Sequence, residues 1–261
     1  MGLNRLVFFL VLINLSFGYS FPTLGQGNQL NSRNYQRFAE FLERVNRYTP
    51  IEGAGSHGSY GTHLGFGMSR YDKRPSANNH YYQHVMDEDK PSSSESLDLS
   101  KAYLVKGTPW PLDVGIVFGS DQATKINQLG GHIQWTAFEA FKLPAVAFRG
   151  YYSRLLGLTD TQFNSYGFDG LVSYGVLRYF NIYAGGGIQS SHLDMIVTNT
   201  QETALAPLKQ GSFRKTDTLT GYTTMVGMKA NIVPALLSVS GEYHRSQNEK
   251  GSLAAKLSLI F

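Results

Sequence analysis

The sequence ends with the stretch Gly251-Ser252-Leu253-Ala254-Ala255-Lys256-Leu257-Ser258-Leu259-Ile260-Phe261, in which apolar residues alternate with small or polar ones. In an extended strand, successive side chains point to opposite faces. One face is then apolar throughout: Leu253, Ala255, Leu257, Leu259 and Phe261. The other face is small or polar: Ser252, Ala254, Lys256 and Ser258. The stretch therefore predicts a strand with an apolar outer face and a polar inner face.

The same alternation of apolar and polar residues recurs along most of the chain before this strand. Nine further strands are predicted near residues 56–69, 97–106, 112–120, 126–138, 145–155, 163–176, 179–189, 219–231 and 235–246. In the second of them, Leu99, Tyr103 and Val105 are expected to face outward, although Lys101 shares their parity. The chain is 13% aromatic and only 16% charged. Thinly spread alternating hydrophobicity of this kind is typical of a closed antiparallel transmembrane β-barrel, here of about ten strands.

The connections between the predicted strands differ in length according to the end of the barrel on which they lie. Every second connection is short: residues 107–111, 139–144, 177–178 and 233–234. The remaining connections are residues 70–96, 120–126, 156–162, 190–218 and 247–250, and they include both long ones. Barrels in the outer membrane have short turns at one end and longer loops at the other. The asymmetry supports an even number of strands.

Taken together, these patterns resemble the bacterial outer-membrane β-barrels as a class, without a match to one family. In that class the barrel-assembly machinery recognises a closing strand that ends in Phe, so the resemblance implies this role for Phe261 and outer-membrane lipid as the surroundings. Ten-stranded members include omptin proteases and Opc-type adhesins. The nearest equivalent of the omptin Asp–His couple is His192-Leu193-Asp194, in reversed order. A soluble barrel of lipocalin type, which would bury the faces predicted to be outward, is the alternative fold.

The first residues of the chain predict export across the inner membrane. Arg5 precedes an apolar run, Leu6 to Ile13, and small residues follow at Ser16, Gly18 and Ser20. This is the pattern of a secretory signal peptide, expected at residues 1–20. The alternative is an amino-terminal membrane anchor, for which the apolar run is short. We expect an outer-membrane protein with both mature termini in the periplasm.

One amphipathic helix is predicted between the signal peptide and the barrel, near residues 32–48. Its apolar face consists of Phe38, Phe41, Leu42 and Val45, at helical spacing. We assign residues 21–53 to a periplasmic segment that carries this helix and residues 54–261 to the barrel. An apolar stripe does not match a polar lumen, so we expect the helix on the periplasmic rim, with a plug inside the lumen as the alternative.

Polar residues on the inner faces of the strands are the candidate functional residues: His63, His132, Arg149, Asp169, Glu242, His244 and Lys256. Arg149 and Asp169 lie on neighbouring strands at similar depth, where they can form a charge-assisted pair that fills the lumen. Lys256 and His63 meet where the last strand closes on the first. We expect no metal site, because His63 and His132 have no carboxylate beside them and His80 and His84 lie in a loop.

The sequence shows neither a nucleic-acid-binding cluster nor a convincing catalytic constellation. Lys and Arg exceed Asp and Glu by 23 to 19 without a basic cluster, so nucleic acid is not expected as a partner. We expect no cofactor and no enzyme activity; the proximity of His244 to Ser246 is weak evidence in a chain rich in hydroxyl groups. The expected function is a surface scaffold that recognises an extracellular ligand through loops 70–96 and 190–218. A narrow solute channel and an outer-membrane hydrolase are the alternatives.

Overall fold

A computed structural model of the chain describes residues 32–58, 61–72, 96–121, 124–140, 143–158, 160–176, 179–198, 212–233, 236–246 and 251–261. Within these residues the chain forms one helix and ten strands. Their bounds are α1 Ser32–Asn46, β1 Thr62–Asp72, β2 Ser96–Gly107, β3 Leu112–Ser120, β4 Asn127–Phe138, β5 Ala145–Leu156, β6 Thr161–Val176, β7 Phe180–Thr198, β8 Ser212–Val233, β9 Leu237–Ser246 and β10 Ser252–Ile260. Among the described residues, no helix combines the length and the apolar character needed to cross a bilayer.

The ten strands form a closed antiparallel barrel in which each strand pairs with its neighbours in sequence. The barrel closes between β1 and β10, where Gly67 lies opposite Lys256. Backbone hydrogen bonds continue the seam to its end, where Thr62 N donates to Phe261 O over 3.1 Å and Phe261 N donates to Thr62 O over 2.9 Å. The predicted fold class, strand count and resemblance to outer-membrane barrels are confirmed.

The outer wall carries a band of exposed apolar side chains, as the alternation predicts. Ile116, Ile133 and Val226 are each more than half exposed on this surface. Trp135, Phe148 and Phe168 stack on one another across three neighbouring strands, with ring centroids 6.0 and 5.9 Å apart. A contiguous apolar surface of this extent requires an apolar environment around the barrel.

Strand β2 is the exception, because its predicted inward and outward faces are reversed. Leu99, Tyr103 and Val105 are buried inside the barrel together with Lys101. The physical reason is that the inner wall here does not face water. Leu99 belongs to the apolar cluster around α1, and Lys101 Nζ donates to Thr49 Oγ1 over 2.9 Å.

The two ends of the barrel differ, and we name them by Phe261. The near end contains Phe261 and the four short connections; the far end contains the connections whose residues 73–95 and 199–211 lie outside the described residues. The predicted loop 190–218 is shorter than expected, because β7 continues to Thr198 and β8 begins at Ser212. These strands pair with each other along their whole length. Beyond its pairing of Thr223 with Ser246 of β9, β8 continues toward the far end beside β7 alone.

The segment before β1 occupies the interior of the barrel. Helix α1 lies within the far end, and residues 47–57 then cross the lumen to the near end. Gly58, with a φ of 65°, turns the chain there, a conformation that favours glycine. Gly107 N donates to Gly61 O over 2.9 Å, which attaches the turn to β2. We call residues 36–57 the plug.

Candidate functional site

Helix α1 closes the far end of the lumen through its apolar face. Phe38, Phe41, Leu42 and Val45 are fully buried there. They pack against a ring of apolar residues from five strands: Tyr71, Leu97, Leu99, Leu155, Phe163, Leu193 and Met195. The apolar stripe of the helix is therefore matched by an apolar collar in the wall. The expected rim position beside Phe261 is wrong, because the lumen at this depth is not polar.

On the near-end side of this apolar collar, polar side chains at the end of α1 bind the wall. Asn46 Nδ2 donates to Ser165 Oγ over 2.9 Å and to Ser153 O over 3.2 Å. Ser153 Oγ in turn donates to the carbonyl oxygen of Asn46. Arg47 Nη2 lies 3.3 Å from Asp169 Oδ1, and both side chains are buried. These contacts attach the end of the helix to β5 and β6.

In the middle of the lumen, an aromatic side chain of the plug fits against a glycine of the wall. Tyr48 Oη lies 2.5 Å from His132 Nδ1, and the Tyr48 ring stacks on Tyr151 with centroids 5.9 Å apart. A Cβ at Gly130 would lie 2.6 Å from Tyr48 Cδ2. Gly130 therefore provides the space that the ring occupies.

Closer to the near end of the barrel, the backbone of the plug accepts hydrogen bonds from the wall. Arg149 Nη2 donates to Glu52 O over 2.9 Å and to Gln134 Oε1 over 2.8 Å. Gln134 Nε2 donates to Gly53 O over 3.1 Å, and Thr136 Oγ1 donates to Ala54 O over 2.9 Å. Consecutive carbonyl groups of the extended segment are thus satisfied by side chains of β4 and β5.

On the opposite side of the plug, one lysine from the closing strand binds two plug residues that are two positions apart. Lys256 Nζ donates to Pro50 O over 2.7 Å and to Glu52 Oε1 over 2.8 Å, and it lies 5.1 Å from the centre of the Tyr103 ring. Ile51, between these two plug residues, has a φ of 55°, which is strained for a β-branched side chain. The strained turn directs both acceptors toward the same ammonium group.

A second group of charged side chains lies at the near end, where the plug approaches β1 and β3. His57 Nδ1 lies 2.7 Å from Asp113 Oδ2, and His57 Nε2 lies 3.5 Å from Glu52 Oε2. His63 Nδ1 lies 3.4 Å from Glu52 Oε1. The two imidazole rings meet edge to face, with centroids 3.9 Å apart.

The wall formed by β8 to β10 contacts the plug less completely. Glu242 and His244 contact each other there. Side-chain oxygens of Ser238, Ser240 and Ser258 are buried without a hydrogen-bond partner among the described residues. A cleft at the far end continues this polar surface between α1 and the wall; its lining includes Glu43, Arg47, Gln189, Thr223, His244 and Ser252.

A glutamate of α1 in this cleft has an altered acidity. Burial raises the pKa of Glu43 to about 7, and the nearby Glu40 carboxylate adds to the shift while Arg47 opposes it. Its Oε1 lies near Gly221 of β8, where an added Cβ would be 3.1 Å away. The helix therefore presents a group that changes charge near neutral pH to the less tightly packed side of the lumen.

The structure places all seven sequence-predicted polar residues inside the barrel, but their partners differ from those expected. Arg149 and Asp169 are opposite each other in register, yet Arg149 binds the plug backbone and Asp169 binds Arg47. Lys256 and His63 meet through Glu52 rather than directly.

The remaining candidates lie on or outside the wall. His192 and Asp194 are on the outer face of β7, where they contact Thr218 and Thr216 of β8 and form no omptin-like couple. His80 and His84 fall outside the described residues.

Sequence reasoning missed the plug residues that these wall residues bind, above all Glu52 and His57. The signal available was a segment of unusual length before β1 that combines an apolar stripe with isolated charges. Nothing in its local pattern identifies its partners, because Glu52 and Lys256 are 204 positions apart.

No protein-family model matches the chain, and no curated protein matches it. Solved barrels are similar at low identity. Outer membrane protease OmpT from Escherichia coli is 9% identical, with 77% of this chain and 96% of that chain covered at a TM-score of 0.40. The N-terminal β-barrel domain of Pseudomonas aeruginosa OprF is 9% identical, with 78% and 99% covered at 0.36. The attachment invasion locus protein Ail of Yersinia pestis is 10% identical, with 78% and 99% covered at 0.34.

Proposed function

We propose that this protein is an integral outer-membrane barrel that acts as a sealed surface scaffold and presents its far end for recognition. The exposed apolar band on the outer wall supports a position in lipid, since burying it in a bilayer removes it from water. The near end, with the short connections, is then periplasmic, and the far end faces outward. Phe261 at the near end is available there to the barrel-assembly machinery.

The plug is the single observation on which the sealed state rests. Apolar collar contacts close the far end, and buried ion pairs at Asp169 and Lys256 fix the segment below it. A barrel of ten strands is already far narrower than a porin of 16 strands. With a helix and an extended segment inside it, the lumen has no room for free diffusion of solutes.

Recognition by the far end is supported by the uneven height of the wall. Strands β6, β7 and β8 extend beyond the far end of β9 as a raised arm of the wall, in which β6 pairs with β7 as far as Met195. The connections with residues 73–95 and 199–211 start from this same end. An arm and two long connections on a rigid base form the arrangement in which binding residues commonly lie. The expected partner is an extracellular ligand that contacts these connections.

A narrow, gated channel is the second candidate, favoured by the polar surface of β8 to β10. Buried hydroxyl oxygens without protein partners among the described residues, such as those of Ser240 and Ser258, require water to satisfy them. Movement of the plug away from this wall would open a polar path beside it.

Single-channel recording in planar bilayers separates the two candidates. The sealed scaffold predicts no reproducible conductance steps for the wild-type barrel and steps for a variant that lacks residues 32–57. The Gln36→Ala variant, altered at an exposed position of α1, is the matched control and stays closed. Reproducible openings of the wild type would refute the sealed scaffold and support the gated channel.

A further inference from the structure

Three side chains at the near end of the lumen have the composition of a transition-metal site. Glu52, His57 and His63 each offer one ligand atom, and these atoms lie within 4.8 Å of one another. The side chains are buried, with 4 to 8% of their surface exposed. We propose that they bind one Zn²⁺ ion, which joins the plug to the barrel wall.

The spacing of the ligand atoms fits the size of the ion. Zn²⁺ binds imidazole nitrogen and carboxylate oxygen at roughly 2.0–2.2 Å, so tetrahedral ligands are about 3.4 Å from one another. Here His57 Nε2 lies 3.5 Å from Oε2 of Glu52, and His63 Nδ1 lies 3.4 Å from the other carboxylate oxygen, Oε1, so an ion between the two imidazoles meets both oxygens of one carboxylate. Two histidines and a glutamate are a known zinc donor set, which leaves a fourth position for water.

A carboxylate behind one of the histidines sets its tautomer. His57 Nδ1 lies 2.7 Å from Asp113 Oδ2, so the ring donates its Nδ1 proton to the carboxylate and directs the Nε2 lone pair toward Glu52. Histidine ligands of metals are commonly oriented by a carboxylate in this way. His57 is therefore already oriented as a ligand.

The second histidine has a ligand atom that is only weakly satisfied. His63 Nδ1 is buried, and its nearest described partner is Glu52 Oε1 at 3.4 Å, without the geometry of a good hydrogen bond. A buried nitrogen of this kind is costly unless it acquires a partner. It lies on the side of the ring that faces Glu52, where a metal ion would satisfy it.

The lysine beside the site opposes the binding of a cation. Lys256 Nζ lies 2.8 Å from Glu52 Oε1, so its ammonium group shares the carboxylate that the ion would bind. Removing that charge should strengthen metal binding. A salt-bridge network without a metal function would give no such effect. The direction in which Lys256→Gln changes the Zn²⁺ affinity is therefore a test of the proposal.

The location gives the ion a role. Glu52 and His57 belong to the plug, whereas His63 belongs to β1 and Asp113 to β3. A bound ion would therefore hold the plug in the lumen from the near end. This proposal deepens the sealed-scaffold function and rests on the docked position of the plug.

The test is a Zn²⁺ titration of the full folded chain in detergent micelles by isothermal calorimetry, with Co²⁺ absorption as a second measurement. We expect one site, with tetrahedral Co²⁺ bands in the visible range. The double variant His57→Gln/His63→Gln should weaken Zn²⁺ binding at least about 30-fold, and Asp113→Asn about 10- to 100-fold. Lys256→Gln should tighten it. The His192→Gln variant, altered on the outer face of β7, should bind as the wild type does.

Equal binding by the wild type and the His57→Gln/His63→Gln variant would overturn the proposal, as would weaker binding by Lys256→Gln. If the histidine variants do not fold, which heat-modifiable migration on gels shows, the isosteric Asp113→Asn variant keeps the test decisive, because it leaves the buried Lys256–Glu52 pair intact. A conducting wild-type barrel in the bilayer experiment would refute the sealed scaffold, whereas this titration alone decides the metal site.

Discussion

The ammonium nitrogen of Lys256, on the last strand, lies 2.8 Å from Oε1 of Glu52, in the segment before the first strand. Both side chains are almost completely buried. The pair therefore joins the closing strand to the plug, in a setting where neither charge has water as a substitute partner. Breaking such a pair on one side leaves a buried charge unpaired and is strongly destabilising.

Glu52→Gln tests the contribution of this pair. We expect the free energy of unfolding, measured by urea denaturation in lipid vesicles, to fall by about 3–5 kcal/mol, because Lys256 is left buried without its counterion. Arg70→Gln is the matched control, since the Arg70–Asp98 pair lies on the exposed surface and its loss should change stability little. Equal effects of the two substitutions would contradict the docked position of Glu52.

Gly130→Ala tests the fit of Tyr48 against the wall. The added Cβ would lie 2.6 Å from Tyr48 Cδ2 and 3.2 Å from Ser153 Cβ, so overpacking should cost about 1–3 kcal/mol and loosen the plug. Gly150→Ala is the control, because a Cβ at Gly150 meets no heavy atom within 4 Å.

The measurement for this pair of glycines uses the absence of native cysteine. In an Ala54→Cys background, where position 54 is fully buried in the plug, we expect faster maleimide labelling with Gly130→Ala than with Gly150→Ala. Identical labelling rates would show that Tyr48 does not occupy this space.

Glu43 predicts a pH dependence of stability. Its pKa in the folded protein is about 7, above the usual 4.5 of a glutamate, because burial and Glu40 disfavour the charged carboxylate. The folded state thus holds the proton more tightly than the unfolded state. This contribution to stability is fully present below pH 4.5 and is lost as the pH rises through about 7.

Urea midpoints at about pH 5 and about pH 8 test this prediction. The wild type should lose more stability across this interval than Glu43→Gln, in which the titrating group is removed. Parallel behaviour of the two proteins would indicate that Glu43 is as accessible to water in the folded state as in the unfolded one.

The barrel was predictable from the sequence because its pattern reports a local property. Each strand lies between the surroundings of the barrel and its lumen. Apolar and polar side chains therefore alternate along the strand, as in β10. The pattern failed at β2, where Leu99 and Tyr103 face inward. At this strand the lumen is itself apolar, because the wall meets the plug. The alternation of apolar and polar residues therefore no longer identifies which face is outward.

The contents of the lumen were predictable only in part. The inward placement of residues such as His132 and Arg149 follows from parity, which is local. Their partners do not follow from it, because Tyr48 and Glu52 reach them from a segment without strand periodicity. The charge-assisted pair expected between Arg149 and Asp169 is replaced by contacts with that segment. Long-range pairing of this kind depends on where the segment lies, which its amphipathic pattern alone does not specify.

The most direct test of the central claim, that residues 36–57 lie inside the barrel, is an engineered crosslink between the plug and the wall. A Cβ built at Gly53 lies 3.1 Å from Ser173 Cβ on β6, so a shift of a few tenths of an ångström brings the two to the separation of roughly 3.5–4.5 Å found in disulfides. We predict that oxidation of the folded Gly53→Cys/Ser173→Cys variant in lipid forms this disulfide nearly completely, as detected by mass spectrometry. The Gly53→Cys/Ser100→Cys variant, with its second cysteine on the exposed outer face of β2, should form none. A folded Gly53→Cys/Ser173→Cys barrel whose two cysteines stay reduced and react freely with maleimide would contradict the account.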